Sequence, residues 1–464
     1  MPDYDAIVVG GGIGGLVAGT ELARRGLRTV VLEAAPDPGG CVRFHHVGGL
    51  RLDRGADAFA LARPAVLDLV KSLGLPVERP FGSAAWVRHE AGQAPLPAAA
   101  LLGIPADPAA ADVRRVIGRA GVLRARADRL LPAAVGRASG LGGLVRRRMG
   151  GRVLRRLVEP VVGGVYSTDP EQLDVEAVAP GLRDALSRSG SLARAVAQLR
   201  GAAPPAGSAV AGLTGGMGTL TRALAAALTA AGGTLRCSAP VADLVRTGAD
   251  GWAVTVGGAD ADRLTGSAVL LATPAGTTAG LLARLGDDAP ALPIAPASDV
   301  LLATVVVQAP ALDAAPRGTG VLVSPRATGV TAKALTHATA KWSWLADAAG
   351  PGRHVLRLSY GRGGSLPPES AYPALALADA AKLLGVPRAG LELLDHALVR
   401  FPDQLRALRA GQRQQMDRFR HDLLRWPHLA VTGAAVAGTG LAGVVADART
   451  SAARLALDCG RMGA

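Results

Sequence analysis

The sequence predicts an α/β chain: a parallel sheet with helices on both faces, into which a helical segment and a β-rich segment are inserted. Three observations predict it. A run of β-branched apolar residues, "YDAIVVG", leads into a glycine turn and an apolar-striped helix near the N-terminus. A second strand, glycine turn and helix, "HLAVTGAAVAGTGLAGVVADARTSAARLA", lies near the C-terminus. Between them come a long Arg-rich stretch with helical spacing and a stretch of short strands bounded by Gly and Pro.

The bulk numbers set the frame. With 464 residues the chain has room for about three domains, each with its own core. The net charge is +14, yet lysine occurs only at Lys71, Lys333, Lys341 and Lys382, so the basic character is almost entirely arginine. Such a balance favours acidic partners. No nucleic-acid-binding module and no basic stretch interleaved with aromatics is present, so nucleic acid is not expected as a partner. The three cysteines Cys41, Cys237 and Cys459 form no CxxC pair, which argues against a disulfide framework or a zinc site and suits a reducing cytoplasm. The opening "MPDYDAIVVG" has no basic region followed by an apolar one, so a secretory signal is not expected, and no apolar run approaches the ~20 residues of a membrane span.

The first element reads as a buried parallel strand ending in "GGGIGG". Leu16, Gly19, Thr20 and Ala23 then recur at helical spacing to Gly26, and "RTVVLEA" is the next strand. Gly10, Gly12 and Gly15 fill GxGxxG: a tight turn, a close backbone approach to a pyrophosphate, and helix–strand packing. Gly11, Ile13 and Gly14 complete the turn, whose helix N-terminus offers N–H groups to phosphate. Glu33 follows with Ala34 about 20 residues on, where an acid bonds ribose hydroxyls. Residues 100–200 carry apolar positions at helical spacing against arginine faces, read first as solvated, with contact to an anionic membrane surface as the alternative. "GAAPPAGSAVAG" (201–212) reads as a flexible connection. From about 298 to 362, "DVLLATVVVQ", "GTGVLVSP" and "HVLRLSYGR" suggest an antiparallel sheet.

The segment "EAAPDPGGCVRFHHVGGLRLDRGADAF" resembles the second fingerprint of the flavin amine oxidase superfamily: paired glycines (Gly39, Gly40), a basic residue (Arg43), then an acid-x-Gly (Asp53, Gly55) before Ala56, Asp57 and Ala58. Cys41 stands where that family has Lys or Arg. A narrower resemblance, to the bacterial coproporphyrinogen III and protoporphyrinogen oxidases, rests on "PLPAAALLGIP", "RLVEPVVGGVYSTDPEQLDVEAVAP", "KALTHATAKWSWLA" and "RLSYGR", which follow in the family's order. One stretch departs. At "RFPDQLRALRAGQ" the family's Trp is Phe401, its Pro-Gln-Tyr is Arg406, Ala407 and Leu408, and its His is Gln412.

The resemblance implies an α/β fold with a discontinuous Rossmann-like FAD-binding domain (1–85, 213–285 and 395–464), a helical cap domain (86–212) and an antiparallel-sheet substrate domain (286–394). It implies FAD as cofactor, no metal, and further cofactor contacts at Gly40, Arg43, Gly55, Ala56, Asp57, Ala58, Val241, Phe401, Gly433, Thr439, Gly440 and Leu441. The implied reaction is oxidation of coproporphyrinogen III to coproporphyrin III with O2 as acceptor, by a cytoplasmic monomer or homodimer. Because the flavin carries the chemistry, no acid–base side chain is required. Arg43, Tyr166 and Lys341 are the substrate-side candidates. The alternatives are protoporphyrinogen IX oxidation, another flavin oxidase acting on an amine or polyene, and a non-catalytic FAD-binding paralogue. With aromatics at only 3%, the cage an amine oxidase needs is poorly supplied.

Overall fold

The computed structural model describes the chain except residues 1, 83, 137–139, 167–168, 202–208, 249–250, 259–260, 295–296, 362–366, 407–410 and 461–464. The expected connection at 201–212 therefore falls largely outside the described residues.

The first strand, Tyr4–Val9, pairs in parallel with Thr29–Leu32 on one side and Asp262–Leu271 on the other. Thr234–Arg236 extends the parallel array beyond Thr29–Leu32, and Leu429–Val431 pairs parallel to the end of Asp262–Leu271. Trp252–Val256 and Val241–Arg246 complete the sheet as an antiparallel edge. Strands such as Thr29–Leu32 and Leu429–Val431 are apolar on both faces because both are covered. Ala6, Val8, Val31 and Leu270 pack under the helices Ile13–Arg24, Gly218–Ala230 and Leu441–Gly460. Ile7, Val9, Val30 and Leu271 face the opposite cluster with Trp252, Leu281 and Phe419.

A second, seven-stranded sheet runs in the order Glu392–Arg406, Ala297–Gln308, Arg353–Tyr360, Ala334–His337, Gly320–Val323, Trp86–His89, Gly92–Pro95. All neighbours are antiparallel except Gly320–Val323 with Trp86–His89. This moves two boundaries expected from the sequence. Residues 86–95 were expected in the helical cap and 395–406 in the nucleotide-binding part, yet both pair here. The reason is backbone pairing: Glu392–Arg406 lies beside Ala297–Gln308 along nearly its full length. The helix Tyr372–Leu384 covers one face of this sheet through Tyr372, Leu377 and Leu384. The other face meets the hairpin Phe44–Val47/Leu50–Asp53 through Val306 and Val355.

Helices between 111 and 200 enclose a separate core that includes Leu144, Val145, Leu157, Leu182 and Val196. The Arg-rich faces are not all solvated. Arg148 is fully buried, its Nε 2.5 Å from Asp128 Oδ1, while Asp128 Oδ2 accepts from Ser191 Oγ at 2.7 Å. Among the described residues no helix is long and apolar enough to cross a membrane.

Candidate active site

The turn after Tyr4–Val9 is shaped by close contacts. Gly10 has φ +104°, and a Cβ on Gly15 would overlap the Gly10 carbonyl oxygen, so helix and strand close only with glycine there. A Cβ on Gly12 would meet nothing within 4 Å. Glu33 spans the turn: its Oε2 accepts from Gly11 N–H and its Oε1 from Ala35 N–H, both at 2.8 Å. The segment leading to Val241 runs alongside, with Ala239 N–H donating to Glu33 O at 2.8 Å and Ser238 N–H to Ala35 O at 2.9 Å. Val241 opens the strand two residues on, half-buried.

The second fingerprint folds back onto this turn. Gly39 N–H donates to Gly11 O at 2.8 Å, and Gly39 bridges Gly12. Within the second fingerprint, Arg43 has its Nη1 3.4 Å from Asp37 O, and its buried Nε has no partner among the described residues. The Cys41 carbonyl accepts from Ala56 N–H at 3.1 Å, and burial raises the Cys41 thiol, so it is no reactive thiolate. Asp53 caps the helix Gly218–Ala230 by accepting from Met217 N–H and Gly218 N–H, each at 3.0 Å. Burial still pushes its carboxyl up to about 6. A Cβ on Gly55 would lie 3.0 Å from Phe401 Cζ, so Phe401 of the second sheet packs directly on the fingerprint.

Asp57 and Lys341, placed on different sides of the site by the sequence, are brought together. Lys341 Nζ is 2.9 Å from Asp57 Oδ2, and Arg357 Nη1 is 3.4 Å from the same oxygen. Arg357 Nη2 also donates to the Gly55 carbonyl. Burial alone would raise the Asp57 pKa, but the Lys341 and Arg357 cations outweigh it and hold the carboxyl at about 2. The Lys341 ammonium is thus engaged by an internal partner and stands 4.8 Å from the Trp342 ring centre. Burial, with Arg357 adding to it, lowers His45 to about 4. Ala58 is partly buried against the apolar cluster beside this ion pair. The Tyr166 side chain lies outside the described residues, as do Ala407 and Leu408.

Arg357 was missed as a site residue. The signal was present in "HVLRLSYGR", a charged residue in an otherwise apolar strand, but only the fold shows which face it takes.

The C-terminal piece closes on the N-terminal one. A Cβ on Gly14 would sit 3.1 Å from Gly433 Cα, and Gly433 itself has φ +88°. Thr432 Oγ1 donates to Asp447 Oδ2 at 2.7 Å and Arg420 Nη2 to Asp447 Oδ1 at 2.5 Å, which ties the turn to the helix Leu441–Gly460. Thr439 and Gly440 are exposed, Leu441 is half-buried, and a Cβ on Gly440 would meet nothing within 4 Å. This turn borders a cavity of about 400 Å³ shared with the helix Gln412–Leu423.

A family model, described as "Flavin containing amine oxidoreductase", matches residues 13–456. The chain belongs to this family. The coproporphyrinogen III oxidase of Mycobacterium tuberculosis (strain H37Rv) is 31% identical over 466 residues, spanning 95% of each chain. The chloroplastic protoporphyrinogen oxidase of Oryza sativa subsp. japonica is 34% identical over 182 residues, 37% of this chain and 32% of that one. Among solved structures, a protein of Exiguobacterium sp. 255-15 whose name places it with the protoporphyrinogen oxidases superimposes with TM-score 0.83 at 25% identity, covering 99% of this chain and 100% of that one. The fold is that of these flavin oxidoreductases, and FAD is the cofactor.

The residues present fit such a dinucleotide. A glycine turn at a helix N-terminus leaves open space at Gly12, Glu33 stands at its acid position, and Arg43 carries an unpartnered buried Nε.

Proposed function

We propose that this flavin oxidoreductase oxidises coproporphyrinogen III to coproporphyrin III with O2 as acceptor. The observation that carries this reading is the 31% identity to the coproporphyrinogen III oxidase of M. tuberculosis, which spans 95% of both chains. The match to the rice enzyme supports protoporphyrinogen IX as a second reading.

In this reading Gly10, Gly11, Gly12, Ile13, Gly14 and Gly15 receive the diphosphate of FAD, Glu33 and Ala34 the adenosine ribose, and Val241 the adenine. Gly40, Arg43, Gly55, Ala56, Asp57, Ala58 and Phe401 flank the ring from one side, and Gly433, Thr439, Gly440 and Leu441 from the other. When bound, FAD supplies the two-electron acceptor chemistry by which a methylene-bridge hydride leaves the porphyrinogen. The chain's own residues position and exclude water. The helix N-terminus at Ile13 offers N–H groups to phosphate. Asp57 locks the second fingerprint to the second sheet through Arg357, and to the short helix Ala338–Lys341 that follows one of its strands through Lys341. Holding a substrate in a reactive pose can lower a barrier by ~7–11 kcal/mol, so positioning alone is a sufficient role for the protein. The helices between 111 and 200 form the cap, and the second sheet supplies the substrate wall. The three cysteines, all free, suit a cytoplasmic enzyme.

The test is anaerobic mixing of the yellow protein with coproporphyrinogen III, protoporphyrinogen IX or an alkylamine. The reading expects flavin bleaching with coproporphyrinogen III, then porphyrin fluorescence when air is admitted. Bleaching by the amine alone, or by none of the three, overturns it.

A further inference from the structure

The cavity of about 400 Å³ beside the Ala434–Ala437 turn and Gly440 carries charges that the dinucleotide reading does not use. Its size falls within the ~300–1,000 Å³ of small-molecule sites. Three parts of the chain meet there: the glycine turn, the helix Gln412–Leu423, and the cap segment at Asp174 and Ala177, with Arg63 on the rim. Two of the charged groups are committed to internal partners. Arg420 is held by Asp447, and Asp174 Oδ1 accepts from Glu176 N–H at 2.9 Å as a helix cap. Arg63 and Arg413 make no hydrogen bond or ion pair among the described residues, and both are exposed at the opening. Asp417, one helical turn beyond Arg413, is also unpaired among the described residues, which leaves the rim with an excess of one positive charge.

We propose that Arg63 and Arg413 form a carboxylate-binding rim that receives the propionate groups of the tetrapyrrole. The inference rests on the porphyrinogen reading above for the identity of the ligand. The chemistry itself comes from the rim. A guanidinium offers paired N–H donors matched to a carboxylate, and charge-assisted pairs of this kind are the strong ones. Two such groups on the edge of one cavity suit two carboxylates carried on neighbouring rings of a macrocycle. The apolar ring body would lie toward Met416 and the small residues of the turn, next to the cofactor contacts at Thr439 and Gly440. The Asp417 carboxylate sets the limit of the anionic edge, because a carboxylate placed against it would be repelled.

The test uses the FAD-loaded protein and coproporphyrin III, the stable tetracarboxylate product, with coproporphyrin III tetramethyl ester as the uncharged control. Binding is followed by quenching of porphyrin fluorescence, and flavin content confirms folding. Arg63→Leu and Arg413→Leu should each weaken coproporphyrin III about tenfold. Arg413→Lys should recover part of the loss, and tetramethyl ester binding should change less than twofold. Asp417→Asn should tighten coproporphyrin III. Unchanged affinity in the Arg63→Leu/Arg413→Leu double variant overturns the rim, and so does an equal loss for acid and ester. The two readings separate cleanly. A wild type that binds coproporphyrin III through these arginines but bleaches with no porphyrinogen retains the rim and loses the reaction. One that turns over with binding indifferent to both arginines does the reverse.

Discussion

Asp57→Asn removes the carboxylate that pairs with both Lys341 and Arg357, and its cost can be worked from the geometry. The side chains of Asp57, Lys341 and Arg357 are 21%, 14% and 7% exposed, so water screens the group poorly. The carboxyl is held at about 2 against an ordinary 3.8. That converts to roughly 2 kcal/mol of stability at neutral pH. The sign follows from the lowered value: the contribution is complete above about pH 4 and is lost as pH falls toward 2. Asparagine also strands two cations, and breaking a buried pair from one side costs ~3–5 kcal/mol. The variant should therefore lose about 2–5 kcal/mol at pH 7. Asp57→Asn/Lys341→Met should recover part of this by removing one stranded charge. Urea unfolding of the FAD-loaded protein reads the change by tryptophan fluorescence, because Trp342 and Trp344 line the small cavity beside Asp57. A single variant within ~0.5 kcal/mol of wild type, the scatter of surface substitutions, would refute the reasoning, as would a double variant less stable than the single.

Other outcomes follow from the same structure. Gly15→Ala places a methyl on the Gly10 carbonyl and should give little folded protein, whereas Gly12→Ala meets open space and should fold normally. Gly12→Ala should nevertheless bind FAD at least tenfold more weakly by titration of the apoprotein, since the methyl takes the space where a diphosphate approaches. His337 is pulled down to about 3 by burial first and by neighbouring His354 second. Unfolding exposes it to its ordinary 6.5, so stability should be lost as pH falls below about 6.5, and His337→Phe should flatten that slope in a series of urea midpoints. Asp128→Ala leaves the buried Arg148 guanidinium without its carboxylate and should cost ~3–5 kcal/mol, while Asp128→Leu/Arg148→Met should cost less.

Local rules carried the N-terminal unit of the fold. The N-terminal strand, turn and helix were legible because GxGxxG is a steric demand made by neighbours within a few residues, and Gly15 against Gly10 is such a contact. The boundary at 395 was not, since the partner of Glu392–Arg406 lies about a hundred residues earlier and strand pairing leaves no mark on either segment alone. The Asp57–Lys341 pair spans 284 positions and has no sequence signature. Arg148 is an intermediate case. It falls on the stripe of Leu141, Leu144, Val145 and Met149, the spacing that marks a buried helix face, but its arginine neighbours Arg146 and Arg147 made that stretch look solvated.

A crystal structure of the protein purified with its flavin tests most directly whether segments from the two ends of the chain share one cofactor. The account predicts one FAD per chain, with its diphosphate against Gly12, its ribose at Glu33, and its ring between Phe401 and the turn from Gly438 to Leu441. A dinucleotide bound without contact to residues 433–441, or a diphosphate away from Gly12, would contradict it.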